Sequence, residues 1–288
     1  MSFTLVVNSQ NLVNSGSYYN TYQYNFIQGN FNIPPDSEIM VATLQIPYSF
    51  YNITSALNNN QFQFSFPTGS STYTTSTITI PDGFYTTTSL NYYLQQLMIS
   101  NGIYLINGSG QYIYYFTVQY NSYQYGNQIL ATLVPTSLLA GYTQPSNWAG
   151  YPTVSRTPYI TIMSNNFKTF LGFPVGNYGI NQSTNYSTNS TLTPQGSTIN
   201  SIIVRCSLIN NACSVPFDIL DSFPISNTSF GANINYTANV EKWVKLSSGT
   251  FSNMVITLTD QNFNLLNSID NNILITLLLR FPDKKLIK

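Results

Sequence analysis

Two aspartates in the segment 216–224 come closest to the spacing that catalysis needs. Asp218 and Asp221 stand three positions apart in PFDILDSFP. Two carboxylates that face one cleft can cleave a glycosidic bond, one as the acid and the other as the base or nucleophile. The alternative is that both are turn carboxylates beside a short buried apolar step. Asp36 and Glu38 form another close pair, but Asp36 follows two prolines, which indicates a turn residue with a solvated acid behind it.

The segment that begins at Asp260 opens like the calcium-binding loop of an EF-hand. That loop needs glycine at its sixth position and a bidentate glutamate at its twelfth, where this sequence has Leu265 and Asn271. Because the segment joins two strong strand patterns, we interpret it as a hairpin loop. The chain has no histidine, which excludes His-based catalysis and His-ligated metals. We therefore expect no enzymatic activity, no cofactor, and no catalytic, cofactor-binding or metal site.

Aromatic side chains offer a different chemistry, the stacking of sugar rings. The chain has 23 tyrosines and two tryptophans, Trp148 and Trp243, beside 36 asparagines whose amides can hydrogen-bond sugar hydroxyls. The tyrosines concentrate at Tyr18, Tyr19, Tyr22 and Tyr24 and in the run 112–125. The alternative is that tyrosine, apolar in its ring and polar at its tip, suits half-buried strands and large protein interfaces. The sequence leaves both interpretations open.

Two cysteines and a short lysine cluster are the remaining reactive or charged features. Cys206 and Cys213 make no disulfide framework. We expect two buried free thiols in a reducing compartment, with one local disulfide as the alternative. The C-terminal segment FPDKKLIK has three of the six lysines in its last five residues. Three lysines attract phosphate weakly, so we expect a solvated tail and no specific nucleic-acid binding.

Charge is scarce along the whole chain. Only 6% of its 288 residues are charged, nine basic and nine acidic, against roughly 25% in an ordinary soluble domain. Between Glu38 and Arg156 only Asp82 is charged. Because a neutral surface provides little repulsion between copies, we expect the protein to associate. We hypothesise that the uncharged part, 39–155, supplies much of a subunit interface.

The chain shows no export or membrane-spanning pattern. Its first residues lack the basic start and the apolar core of a signal peptide, so we expect no such signal. The strongest apolar run, 273–279, has the length of a strand and is far shorter than a membrane span of about 18 residues. We therefore expect no membrane span.

Alternating, β-branched and aromatic runs predict ten to twelve strands, which is typical of a sandwich or barrel. The predicted strands lie at 18–26, 38–46, 61–66, 74–80, 112–120, 128–134, 159–163, 199–208, 232–240, 254–260 and 271–281. One helix is predicted at about 88–100, where apolar side chains recur at the helical spacing. We expect it to begin near Thr87–Ser89 and to end at Asn101 and Gly102.

Two stretches are rich in Pro, Gly, Ser, Thr and Asn and poor in aliphatic residues. They cover 141–159 and 177–197, and we interpret them as long surface loops. No composition break cuts off a second domain. We therefore predict a single domain over 1–288, with a loop-rich insertion at about 141–197.

Several segments form a distinctive series because of their order. They are LQIPYSFYNI at 44–53, ITIPDGFY at 78–85, SIIVRC at 201–206, the segment 231–236, and LTDQNFNLL at 258–266 leading into 273–279. In this order they resemble the minor capsid (penton) proteins of virophages and polinton-like viruses, in the adenovirus-like jelly-roll lineage. The resemblance covers most of the chain outside the predicted loops.

The resemblance implies an all-β fold, a single jelly-roll β-sandwich without catalytic residues. It also implies a homopentamer at the vertices of an icosahedral virion, beside neighbouring major capsid protein trimers, assembled inside the host cell. A chain of 288 residues has room for one eight-stranded jelly roll and an insertion. The alternatives are a major capsid or cement protein of the same lineage, or a carbohydrate-binding attachment module for a host receptor or glycan.

Overall fold

The structure is a computed structural model that describes residues 2–13, 18–27, 29–197, 199–226 and 228–282. Its two α-helices are α1 (Thr87–Ser100) and α2 (Asn165–Leu171), and a short 3-10 helix covers Ser9–Asn11. The predicted lysine-rich tail, 284–288, lies outside the described residues. No helix in the described ranges combines the length and the hydropathy that a bilayer crossing requires.

The described residues form twenty strands. The first ten are β1 (Ser2–Asn8), β2 (Thr21–Asn25), β3 (Phe31–Ile33), β4 (Glu38–Pro47), β5 (Gln61–Pro67), β6 (Tyr73–Thr79), β7 (Tyr104–Ile106), β8 (Tyr112–Tyr114), β9 (Phe116–Asn121) and β10 (Gly126–Ala131). The other ten are β11 (Tyr159–Ile162), β12 (Gly176–Tyr178), β13 (Tyr186–Asn189), β14 (Ser201–Cys206), β15 (Ile219–Pro224), β16 (Asn233–Thr237), β17 (Val244–Lys245), β18 (Gly249–Phe251), β19 (Asn253–Asp260) and β20 (Leu274–Arg280).

Eight of these strands form a jelly roll. One antiparallel sheet has the order β1–β20–β4–β16, with β17 also paired to β4, and the other has the order β15–β14–β19–β2. When the eight strands are lettered B to I along the chain, these orders are BIDG and CHEF, the two sheets of a jelly roll. The prediction of an all-β fold with a single jelly roll is confirmed.

Alternating side chains from both sheets make the core of the jelly roll. On β20 every second residue is buried, including Ile275 and Leu277, and on β19 the same holds for Met254, Ile256 and Leu258. This period of two is what a strand with one buried face requires. The long pairing of β20 with β4, interrupted by a bulge after Thr276, places the apolar C-terminal run in the middle of its sheet.

The chain divides into two compact units. The jelly-roll unit comprises Met1–Phe50 and Ile199–Lys288, and the insertion unit comprises Tyr51–Thr198. The insertion thus lies between the D and E strands of the jelly roll, β4 and β14. Its span is wider than the predicted 141–197, because the strand patterns of 61–131 look the same in sequence as those of the jelly roll.

The insertion unit contains its own sheets and core. Its strands form the sheets β12–β11–β5–β6 and β13–β10–β9 and the pair β7–β8. Its buried core includes Phe62 stacked on Phe167, with ring centroids 5.6 Å apart. Of the two stretches predicted as surface loops, 141–159 ends at the first residue of β11, whereas 177–197 contains β13 and most of β12, so the description of 177–197 as a loop alone is wrong.

The predicted amphipathic helix is confirmed as α1, and α2 was missed. Helix α1 begins one residue early, since Thr86 is the N-cap and exchanges hydrogen bonds with Ser89 at 3.1 and 2.8 Å. Helix α2 has only seven residues, too few for a clear periodic pattern. Its signals were local: the cap Ser164, and Gly172 with a φ of 80° at its end.

Candidate functional site

The structure gives Asp218 and Asp221 separate cationic partners. Asp218 accepts hydrogen bonds from Nε of Arg205 at 2.9 and 3.1 Å. The buried Asp221 accepts one from the hydroxyl of Tyr236 at 2.7 Å and one from Nζ of Lys242 at 3.0 Å. Because Tyr236 lies on β16 and Asp221 on β15, the bond between these two side chains connects the two sheets of the jelly roll. Asp221 is therefore a strand residue, and its interpretation as a turn carboxylate is wrong.

The pKa values of both partners of Asp221 are raised. Its hydrogen bond is the largest cause that raises the pKa of Lys242 above the ordinary value. Burial, followed by the hydrogen bond to Asp221, raises the pKa of Tyr236. Both shifts keep the pair protonated, so the arrangement is a stable ion pair with a neutral phenol beside it.

Asp36 and Glu38 also belong to ion pairs. Asp36 accepts a hydrogen bond from Nζ of Lys245 at 2.9 Å between two exposed side chains. Glu38 pairs with Arg280, whose guanidinium lies 4.3 Å from the ring centroid of Trp243. This cation–π contact covers one face of the indole.

The loop after Asp260 is closed by the aspartate itself. Its carboxylate accepts hydrogen bonds from the backbone N–H of Asn262 at 2.8 Å and of Asn264 at 2.9 Å. Thr259 and Leu265 then pair across the turn, as in a hairpin. The strands on either side, β19 and β20, lie in different sheets, so the prediction that the segment joins them as a simple hairpin is wrong. Within the described ranges, no three His, Cys, Asp or Glu side chains form a metal-binding group.

Both cysteines are free, and they differ in exposure. Cys206 is buried on β14, and burial raises the pKa of its thiol to about 12. Cys213 is exposed. The expectation of buried thiols therefore holds for Cys206 and is wrong for Cys213.

Trp148 is part of the core of the insertion unit. Its indole contacts Phe66, Tyr115 and Tyr151, with centroid distances of 6.0, 6.4 and 5.2 Å. Its indole nitrogen is buried without a hydrogen-bond partner among the described residues. Trp148 is thus not free to stack on a sugar.

An uncharged strand edge and an apolar groove form a first candidate surface, which we call the β6 face. Strand β6 pairs with β5 on one side and ends its sheet on the other. Its sequence YTTSTIT has no charge, and most of its residues are exposed. Beside it, Ile78, Leu97 and Met98 help to line a groove of about 140 Å³. An uncharged strand edge of this kind is able to pair with another chain.

The hairpin of β9 and β10 borders a second candidate surface, a cleft of about 370 Å³. We call it the hairpin cleft. Its walls contain the aromatic residues Phe84, Tyr85, Tyr120, Tyr125 and Phe170, the hydroxyl residues Thr86, Thr87, Thr88 and Ser197, and also Asn127, Pro194 and Gly196. None of these side chains is charged. The cleft therefore combines aromatic rings with neutral polar groups.

The backbone of the hairpin holds Tyr125 in an unusual conformation. Its φ is 47°, in the left-handed region that costs a non-glycine residue about 1–2 kcal/mol. A Cβ on the next residue, Gly126, would lie 2.6 Å from Oγ of Ser190, so a side chain there would displace the hydroxyl that accepts a hydrogen bond from the backbone N–H of Asn127. The dipeptide Tyr-Gly thus places a strained tyrosine directly before a closely packed glycine. In the sequence, this dipeptide is the local signal for the turn between β9 and β10.

Buried amides fix the other walls of the hairpin cleft. Asn52 accepts a hydrogen bond from the backbone N–H of Tyr85 and donates one to its carbonyl, both at 2.7 Å. Asn127 is buried, accepts a hydrogen bond from the hydroxyl of Thr87 at 2.8 Å, and donates one to the carbonyl of Leu171 at 3.0 Å. These bonds connect the walls of the cleft to the body of the insertion unit.

No family model and no curated protein matches the chain. Solved structures similar to it over almost its whole length include the following two. A mavirus penton protein has 12% identity and a TM-score of 0.45, with 97% of this chain and 98% of that chain covered. A Sputnik virophage structure has 13% identity and a TM-score of 0.44, with 97% and 96% covered.

Proposed function

We propose that the protein is a structural capsid protein, a penton that forms homopentamers at the vertices of an icosahedral virion. The observation that carries the proposal is the strand order of the jelly roll, BIDG and CHEF, because this fold is common among viral capsid proteins. The series of sequence segments that resembles virophage penton proteins supports the capsid role over other jelly-roll functions. Neighbouring major capsid protein trimers are the other proposed partners.

We propose no enzymatic role for this chain. The pair that came closest to catalytic spacing, Asp218 and Asp221, is held in ion pairs with Arg205 and Lys242. A carboxylate bound in this way serves the packing of the jelly roll.

The insertion unit is proposed to supply much of the contact between subunits. Between Tyr51 and Thr198 the only charged residues are Asp82, Arg156 and Lys168. Burying a charged surface requires a large desolvation free energy, whereas neutral hydroxyl and amide groups need only new hydrogen-bond partners. The β6 face presents such groups on an unpaired strand edge. In a ring of five, each copy would place this face against a different surface of its neighbour.

Native mass spectrometry of the purified protein tests the proposal. We expect an assembly of five times 32.2 kDa, and negative-stain images of five-fold rings. A trimer would favour a major capsid role, and a monomer at high concentration would contradict assembly through this chain alone.

Two lysine substitutions locate the contact. Thr77→Lys places a charge on the exposed edge of β6, and we expect it to weaken pentamer formation at least about tenfold, equivalent to about 1.4 kcal/mol. The matched control, Asn32→Lys, adds the same charge to the exposed position of β3 in the jelly-roll unit and should leave the pentamer intact. Equal effects of the two variants would contradict the role of the β6 face.

A further inference from the structure

We propose that the hairpin cleft of the insertion unit binds a neutral saccharide. The inference does not depend on the capsid proposal, because it rests on the cleft alone. Its volume of about 370 Å³ lies within the range of about 300–1,000 Å³ that ligand sites occupy. That volume calls for a small ligand or the end of a longer glycan chain.

The lining selects the chemistry of the ligand. No charged side chain borders the cleft, so nothing there pairs with a phosphate, a carboxylate or an ammonium group. Aromatic rings offer their faces to the C–H groups of a sugar ring, and hydroxyl and amide groups hydrogen-bond its hydroxyls. Tyr85, Tyr120 and Tyr125 supply the rings, and the exposed residue Thr88 supplies a hydroxyl, whereas the hydroxyl of Thr86 already caps α1.

Two tyrosines remain available at the mouth of the cleft. Tyr120 is 50% exposed and Tyr125 is 70% exposed, and neither hydroxyl has a hydrogen-bond partner among the described residues. Tyr125 keeps its ring there although its backbone has a positive φ, a conformation that asparagine or glycine adopts more easily. A side chain that lowers stability and packs little against the protein is typical of a residue retained for a ligand.

The cleft is also preorganised. The two hydrogen bonds between Asn52 and the backbone of Tyr85 fix one wall. The bonds of Asn127 to Thr87 and Leu171 fix the floor. A rigid site loses little conformational entropy on binding, which favours a weakly interacting ligand such as a sugar.

Saturation-transfer NMR on the full chain tests the proposal, with lactose, maltose, cellobiose and mannobiose as neutral probes and sialyllactose as the charged comparison. We expect transfer to at least one neutral probe. Tyr125→Asn and Tyr120→Ala should weaken its binding at least about tenfold. The control Tyr123→Ala lies on the same hairpin, is 99% exposed and does not line the cleft, and it should bind like the unmodified protein.

Thermal unfolding separates a ligand role from a packing role. Tyr125→Asn should raise Tm by about 2 °C, because asparagine tolerates the left-handed conformation, while it removes saccharide binding. A fall in Tm would assign Tyr125 to packing and contradict the proposal.

Three binding results would overturn the saccharide site. They are the absence of transfer to all four neutral probes, transfer that both tyrosine variants leave unchanged, and transfer to sialyllactose alone. The mass of each variant is measured in parallel. If Tyr125→Asn loses the pentamer and the unmodified protein binds no saccharide, the cleft is a protein contact. If the protein is a monomer and binds a saccharide, that result supports the saccharide site and contradicts only the capsid proposal.

Discussion

The two units of this chain differ most in how they use polar groups. Fifteen of the 18 charged residues lie in the jelly-roll unit, and 17 of the 23 tyrosines lie in the insertion unit. The jelly roll joins its two sheets through the buried carboxylate of Asp221, which accepts a hydrogen bond from Tyr236 and forms an ion pair with Lys242. The insertion fixes its loops with neutral amides, as at Asn52 and Asn127. Charge is thus scarce in both units and almost absent from the insertion unit, whose surface is therefore the easier one to bury.

One tryptophan in each unit makes the comparison measurable. Trp148 belongs to the insertion unit and Trp243 to the jelly-roll unit. The variant Trp243→Phe thus keeps only Trp148 as a fluorescent reporter, and Trp148→Phe keeps only Trp243. Each stability variant is to be made in both of these backgrounds.

Truncation of a core side chain should have the largest effect. Phe167→Ala removes a fully buried ring from the insertion unit, and Leu277→Ala does the same for a leucine of the jelly roll. We expect losses of about 3–5 and 2–5 kcal/mol in the free energy of unfolding. Denaturant titration should show each loss first at the tryptophan of the altered unit. If both reporters shifted together in both variants, the two cores would unfold as one.

A glycine pair measures close packing within the insertion unit. Gly102 and Gly110 have similar φ values, 65° and 77°, but a Cβ on Gly102 would overlap the carbonyl of Asn147, whereas Gly110 faces open space. Gly102→Ala should therefore lower the free energy of unfolding by about 1–3 kcal/mol more than Gly110→Ala. Urea unfolding followed at Trp148 gives the difference, and equal losses would mean that only the positive φ matters.

A lysine pair tests the ion pair of the buried Asp221. Lys242→Met leaves the buried Asp221 with Tyr236 as its side-chain partner. Because Lys242 is itself half exposed, we expect a loss of only about 1–2 kcal/mol. Lys245→Met removes an exposed pair and should cause no measurable change. Unfolding followed at Trp243 compares them, and indistinguishable curves would show that burial of Asp221 contributes nothing.

Alkaline pH should affect the insertion unit first. Burial raises the pKa of eight of its tyrosines: Tyr73, Tyr85, Tyr93, Tyr104, Tyr114, Tyr115, Tyr151 and Tyr178. A folded-state pKa above the unfolded value of 10.0 adds stability below pH 10, and that stability is lost as the pH rises through the folded pKa. In thermal melts from pH 8 to pH 11, the Tm reported by Trp148 should begin to fall at a lower pH than the Tm reported by Trp243. The opposite order would contradict the claim that buried tyrosines make the insertion unit the more sensitive one to alkaline pH.

The sequence predicted strands with strong alternation and missed those held by distant partners. The segments 38–46 and 254–260 became β4 and β19 almost residue for residue. Strand β15 was interpreted as a turn, because it contains Asp221 and ends in proline. The reason for a buried carboxylate lies in Tyr236 and Lys242, which follow 15 and 21 residues later, and no local pattern shows such a contact.

The candidate site was predictable in composition and not in geometry. The tyrosine run 112–125 indicated an aromatic surface, and the hairpin cleft includes Tyr120 and Tyr125 from it. The two tryptophans that suggested sugar stacking are instead held by Arg280 and by a core of aromatic rings. The amide of Asn52 reaches Tyr85 across 33 residues, a tertiary contact that asparagine content alone could not place.

A cryo-EM reconstruction of the intact virion tests the capsid role most directly. The account predicts five copies of this chain around each five-fold axis, with the β6 face buried between neighbours and more area buried per residue in the insertion unit than on the charged faces of the jelly roll. Density for another protein at the vertices, or a pentamer whose insertion units stand free in solvent, would contradict it.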